Sequence, residues 1–358
     1  MPVHPTARPP ARQRRLHVRR ADQGGALRTP GAWVPIPRGI ATRARVAAQR
    51  KGTPAGLGIA LTVWGCLLAA ACGVNPHDVG RFETTWGRRG LSDGRFQKPR
   101  AMAIDAADHI YVVDMTARIQ AFDAEGSFLT SWRTPACQNG KPTGLAIGRD
   151  GSVLVADTHY YRVLVYSPEG KLLKTIGGTF GHRPGELAQV TDVAQDSQGN
   201  YYVGEKGEYD RIQKFSPHGE FLLQWGGHGC EPGQFVLPQS IVVDEQNHVW
   251  VTDSCNHRIQ VFDCQGNLLS IWGSEGNGLG QLYYPYDLVL GRDGAVYVCE
   301  YGNHRVQKFT REGRSLGCWG RPGHAEGELF NPWALVQDSR GRIHVLDTGN
   351  HRVQRVRM

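Results

Sequence analysis

Six acids in this chain are each followed, four to six residues later, by an arginine. The pairs are Asp114 and Arg118, Asp157 and Arg162, Glu205 and Arg211, Asp253 and Arg258, Glu300 and Arg305, and Asp347 and Arg352. A carboxylate beside a guanidinium could store a proton, orient a polar substrate or help to hold a metal ion. Asn-His-Arg triplets at 256–258, 303–305 and 350–352 add His257, His304 and His351 to the inventory. Yet the acid and the arginine recur in every unit, and six equivalent active sites in one chain are implausible. Paired structural charge for the acids, and loop bracing for the histidines, account for the recurrence better.

The elements that carry these residues repeat as well. Successive arginines lie 44, 49, 47, 47 and 47 residues apart. Within each unit four short runs of alternating or continuous apolar character are separated by Gly, Asn, Asp or Pro. In the fourth unit they are 238–244, 248–253, 258–262 and 267–272. Four antiparallel strands at this period form a propeller blade, in which no unit buries its apolar faces without its neighbours. The repeats open at Arg81–Trp86, whose Trp-Gly ending matches those at 225–226, 272–273 and 319–320, and they stop after a third strand, 352–357. An orphan fourth strand at the front and a missing one at the back complete each other. The expected fold is therefore all-β: a six-bladed β-propeller spanning 81–358, closed by pairing the N-terminal strand with the C-terminal blade.

The stretches NHRIQVF (256–262), NHRVQKF (303–309) and NHRVQRV (350–356) resemble NHL repeats, and the resemblance covers the whole of 81–358. It implies the propeller fold but no single function, since such repeats serve as RNA-binding modules, extracellular sensors and the peptide-amidating lyase. The charge distribution speaks to the first of these. Of 41 Lys and Arg and 33 Asp and Glu, residues 1–72 hold 12 basic and one acidic, Asp22; the remainder carries 29 against 32, a net charge of −3. Such a domain lacks the electrostatic footprint of phosphate-backbone binding, so no nucleic acid is expected as a partner. The paired CxxC spacing of a zinc-binding ligase domain does not occur.

Residues 1–53 form a basic tail, rich in Arg, Pro, Ala and Gly without apolar periodicity, whose length before the next segment suggests a misassigned start. Residues 54–72 contain an apolar run, LGIALTVWGCLLAAA, ending at Cys72, and resemble a bacterial lipoprotein signal with Ala69-Ala70-Ala71-Cys72 as lipobox. Cys72 would then be the lipidated residue. An uncleaved membrane anchor over about 20 residues fits the same run. Both readings put the propeller, behind a linker at 73–80, outside the cytoplasm of a bacterial cell envelope and in contact with the membrane only through its N-terminal anchor. Six cysteines remain in the propeller; Cys230 and Cys255 should share a face, where either a disulfide or two free thiols is compatible with export.

If recurrence marks scaffold, function belongs where the units differ. They differ at the start of the inner strand: Arg100, Thr143, Thr191, Gln239, Tyr286 and Trp333, followed by Ala101, Gly144, Asp192, Ser240, Asp287 and Ala334. They differ again in the loops joining second and third strands, with His159, Tyr160 and Tyr161 in one and Tyr209 in another. In a propeller these positions ring the mouth of the central channel, a concave place with aromatic rings and a few polar groups. The expected ligand-binding set is thus Arg100, Thr143, His159, Tyr160, Tyr161, Thr191, Asp192, Tyr209, Gln239, Tyr286, Asp287 and Trp333, for a peptide, glycan or partner protein.

The resemblance to the amidating lyase implies a zinc-binding His just after the Pro of three inner strands; none of the six positions is His. No catalytic residue and no cofactor is expected. An unrelated zinc or calcium site using His159, His182, His228 or His324 is the alternative, as is acid–base chemistry by Asp192 and Asp287 in an extracytoplasmic lyase or lactonase-like hydrolase. Gly90-Leu91-Ser92-Asp93-Gly94 matches G-x-S-x-G but lacks the strand-to-helix setting of a nucleophile elbow.

Overall fold

The computed structural model describes residues 78–358. The basic tail, the signal or anchor segment with Cys72, and most of the linker lie outside the described residues. Among the described residues no helix is long and apolar enough to cross a membrane.

Six antiparallel sheets of four strands each make up the propeller. Blade four consists of Pro238–Val243, Val249–Asp253, Arg258–Phe262 and Leu268–Trp272, counted from the channel outwards. The second and third strands are buried almost throughout, whereas the outer strand is exposed up to its closing Trp272. That gradient is the expected one for a radial sheet, because middle strands are covered by both neighbouring blades. Blade six is completed from the other end of the chain. Arg81–Trp86 pairs antiparallel with Arg352–Arg357, from Arg81 opposite Arg357 to Trp86 opposite Val353. A bulge between Phe82 and Thr84 lets the intervening Glu83 meet Arg355 at 3.0 Å and Arg357 at 3.2 Å.

The recurring residues hold neighbouring blades together. The Trp that ends an outer strand inserts against the third-strand aromatic of the next blade: Trp86 with Phe122, Trp132 with Tyr166, Trp225 with Phe262, Trp272 with Phe309. Each ring lies beneath a turn glycine at positive φ; at Gly313, a Cβ would approach Trp272 Cγ to 2.5 Å. Only glycine meets both demands at that corner.

Each recurring acid is fully buried and faces its arginine, at 2.6–2.9 Å for Asp157, Glu205, Asp253, Glu300 and Asp347, and at 3.7 Å for Asp114. The arginine also donates to carbonyls of the loop entering its blade, as Arg258 does to Cys230, Glu231 and Gln234. The acid accepts a backbone N–H of that loop, as Asp253 does from Val236 at 2.8 Å. These are braces: the ion pair recurs in all six blades and the loop bonds in five, Arg162 and Asp157 of blade two bonding each other without the loop. The histidines brace too. His257, His304 and His351 adopt positive φ, and each Nδ1 accepts a backbone N–H of the following blade, from Tyr284, Asn331 and Lys98. Asp210 stands at the same place in blade three and accepts from Leu237 N. The G-x-S-x-G loop serves Arg118, which donates to Leu91 O.

Candidate functional site

A cavity of about 280 Å³ lies in the channel, lined by the inner strands of blades one, two and four to six and by Asp192 of blade three. Of the twelve residues singled out from the sequence, Arg100, Thr143, Asp192, Gln239, Tyr286, Asp287 and Trp333 line it. The remaining five are placed elsewhere. Thr191 is buried and donates to Pro238 O of the next blade at 2.5 Å, so its hydroxyl is spent as a blade-to-blade staple. Tyr161 takes the positive-φ position that histidine fills in other blades and packs on Phe180. Tyr160 lies against Arg162 and bonds the 133–144 loop through Gln138 and Asn139. Tyr209 stacks on His182 with centroids 4.0 Å apart. His159 packs on Gly140 close enough to Lys206 and Arg100 to feel their charges.

Three rings form one wall of the mouth. Tyr286 stacks on Tyr301 at 4.4 Å, and Trp333 meets Tyr286 edge-on at 4.9 Å and Tyr301 at 5.9 Å. Arg100 reaches across from blade one, its guanidinium 5.4 Å from the Trp333 ring and 3.6 Å from Met115 Sδ. Lys206 of blade three is half-buried; burial and then the charge of Arg100 push its ammonium below the usual lysine range, with Asp210 acting the other way. Burial, Lys206 and Arg100 in turn hold His159 below the ordinary imidazole range.

Sequence reasoning did not select Met115, Lys206 or Tyr301, although a signal for them exists. They occupy the position just after the recurring acid, where the other three blades carry Thr158, Ser254 and Thr348. Those hydroxyls are staples: Thr158 to Thr143, Ser254 to Pro285 O, Thr348 to Pro99 O. Two of the departures adjoin the mouth, Met115 against Arg100 and Tyr301 against Tyr286 and Trp333.

Below the rings, Asp192 and Asp287 flank Ser240. Ser240 Oγ donates to Asp287 at 2.7 Å, and the two carboxyls accept backbone N–H groups of following blades, Ile241 for Asp192 and Leu335 for Asp287. Burial outweighs these bonds. It pushes Asp192, which also feels Asp287, up to about 8, and Asp287 up to about 7. Both are therefore acids poised near neutrality, deep in a cavity whose remaining wall is mostly aliphatic.

The four loop histidines do not converge. His228 contacts Asp210 and His324 contacts Asn350, each at 2.5 Å, while His182 lies under Tyr209 and His159 on Gly140. Among the described residues no three His, Cys, Asp or Glu side chains are grouped to hold a metal. Cys230 and Cys255 are not joined by a disulfide.

The NHL repeat model matches residues 235–262 and 282–309, the third-strand motifs of blades four and five included. Blades four and five of the propeller thus carry NHL repeats. Peptidyl-glycine alpha-amidating monooxygenase B of Xenopus laevis is 37% identical over 128 residues, which are 33% of this chain and 14% of that protein. The chain thus spans a small part of the curated relatives it matches. Among solved structures, the propeller is similar to streptogramin B lyase (TM-score 0.56, 14% identity, 77% of this chain and 97% of that one). It is similar also to an auxiliary nutrient binding protein from Bacteroides ovatus (TM-score 0.59, 14% identity, 77% of each chain). At these identities the likeness shows the fold.

Proposed function

We propose that this NHL propeller is a non-catalytic binding module, tethered outside the cytoplasm of a bacterial cell envelope, that takes a peptide, a glycan or part of a partner protein at its channel mouth. The observation that carries this reading is the coincidence of exceptions at one opening. Where other units place staples or small residues, Arg100, Tyr286 and Trp333 line the cavity and Tyr301 stacks on Tyr286, so that a cation and three rings meet at one opening. The similarity to a nutrient binding protein supports it at the level of fold. A ligand screen on the parent, Trp333→Ala and Arg100→Ala tests it: both substitutions should weaken any ligand found. Binding untouched by either would move the site to the blade sides. The tether rests on Cys72, and labelling with a palmitate analogue should mark the parent and fail on Cys72→Ser.

One observation favours an enzyme instead. Two carboxyls poised near pH 7–8 in a shared cavity suit acid–base work in a lyase or hydrolase, and streptogramin B lyase shares the fold. That reading requires turnover that Asp192→Asn or Asp287→Asn abolishes while ligand binding survives.

A further inference from the structure

Of the six loops that lead into inner strands, one departs from the rest in charge. Residues 87–98, which enter blade one, hold four basic residues and one acid. The loops into blades four and five, 226–237 and 273–284, hold one acid each and no Lys or Arg. The loop into blade six, 320–331, has one basic residue and two acids, the loop into blade three, 178–189, one of each, and 133–142, into blade two, two basic residues and no acid. Loops with one structural role thus make blades one and two positive and, across the ring, blades four and five negative.

The fold gathers the positive side chains into one sector. Arg88 O accepts from Phe96 N at 2.9 Å and Phe96 O from Gly90 N at 3.0 Å, so the loop doubles back on itself. The Arg95 stem packs on Gly90, where a Cβ would meet its Cδ at 2.4 Å. Met115 N donates to Gln97 O at 2.9 Å, and Thr116 O accepts from Arg133 Nη1 at 2.8 Å, which sets Arg133 beside the same loop. Arg88, Arg89, Lys98 and Arg133 are exposed and Arg95 is half-buried. Among the described residues none of these five has a carboxylate within ion-pair distance. Asp93, the acid of the loop, faces Arg118 at 3.4 Å. A solvated cation needs no partner, but five like charges in one sector of a domain whose net charge is −3 beyond residue 72 repel one another and set up a local positive field.

Leu91 stands among these cations, 68% exposed, more than any other large apolar side chain of the described residues. Its backbone is fixed, because Arg118 donates to its carbonyl at 2.7 Å. We propose that this sector docks an acidic polypeptide segment, its carboxylates pairing with Arg88, Arg89, Arg95, Lys98 and Arg133 and an apolar side chain lying against Leu91. The two positive loops contain one aromatic residue, Phe96, and it is fully buried, so the sector lacks the stacking platform of single-strand nucleic-acid sites. A duplex or an anionic membrane lying flat across the face would press its phosphates on the exposed Glu231 and Glu275 of the opposite loops. A short acidic segment touches the positive sector alone. The inference goes beyond the mouth reading, since none of the five cations lines the cavity.

The test is fluorescence anisotropy of the full-length protein with a short labelled peptide of Glu residues around one central Leu, and with the same peptide carrying Gln for Glu. The Glu peptide should bind at least about tenfold more tightly than the Gln peptide, and raised salt should narrow the gap. Reversing two charges together, Arg88→Glu with Arg89→Glu, should remove the preference. Leu91→Ser should weaken both peptides alike, and Arg183→Glu, on the loop into blade three, should change neither. Both reversed arginines are exposed, so the thermal melt of that variant should match the parent. Unlabelled Glu peptide should displace the labelled one better than an oligouridylate or phosphatidylglycerol vesicles of equal charge. Equal binding of the two peptides, binding of neither, or better displacement by the oligouridylate or the vesicles would each overturn the proposal. So would a Glu peptide that Trp333→Ala releases and the double reversal leaves in place, which would put it at the mouth and leave that reading standing.

Discussion

Asp192 and Asp287 occupy the same register position as Ala101, Gly144, Ser240 and Ala334, and at this one position a side chain decides between packing and proton storage. Both carboxyls sit above the ordinary range because burial dominates, so the sign of their effect on stability is opposite to that of a salt-bridged acid. Between the unfolded value of about 4 and the folded values near 7 and 8, the native state binds protons that the unfolded chain has released. Stability from these groups is therefore fully present below about pH 4 and lost as pH rises toward 8. Asp192→Asn should flatten this fall, since its amide oxygen can still accept from Ile241 N. Chemical denaturation at pH 5 and pH 9 checks it: the difference between the two pH values should shrink by at least about 1 kcal/mol. An unchanged difference would mean that Asp192 is ionised in the fold.

At the scale of the element, two tryptophans that look alike in sequence do opposite things. Trp272 ends an outer strand, packs on Phe309 and lies under Gly313; replacing it with Ala opens a void between two blades and should cost about 3–5 kcal/mol. Trp333 opens an inner strand at the half-buried mouth, and Trp333→Ala should cost less than about 1 kcal/mol while weakening ligand binding. Thermal melts of both variants, beside a ligand titration of the second, separate scaffold from site. The strand pattern, the blade count and the closing pair were legible in the sequence because six copies of one unit correct each other's ambiguities. The inner-strand starts were legible for the same reason, and seven of the chosen residues do line the cavity. What could not be read was side-chain direction. Thr191 turns into the blade interface and Tyr209 onto His182, and no periodicity in sequence distinguishes those rotamers from channel-facing ones. Tyr301 was missed because it follows a recurring acid, which read as scaffold, and Lys206 because Tyr209 was chosen from the same variable loop. The irregular link at 133–144 belongs to the same category: the other inter-blade loops plug the ring with Phe96, Leu187, Phe235, Leu282 and Leu329, each bridged in parallel to its loop. This one instead folds against Tyr160 and His159 beside the mouth.

For the whole molecule, what matters is that the ring is closed. Each blade buries its faces against two neighbours, so in an open array the end blades would each present an uncovered face. Arg81–Trp86 removes that defect with five residue pairings to Arg352–Arg357, with Trp86 packed on blade one, and with Glu83 between Arg355 and Arg357. Arg355 and Arg342 both reach Glu125 of blade one, tying the seam from its other side. A rigid ring is what allows the mouth to hold the buried carboxyls of Asp192 and Asp287 and the ring wall without rearranging. Deleting residues 78–86 would leave blade six with three strands and expose the edge of Arg352–Arg357, a ready template for pairing with a second chain. The expected outcome is loss of the single sharp unfolding transition of the parent, together with concentration-dependent self-association seen by light scattering. A deletion variant that stays monomeric and melts in one transition at the parental temperature would show that the six blades cohere without their closing strand.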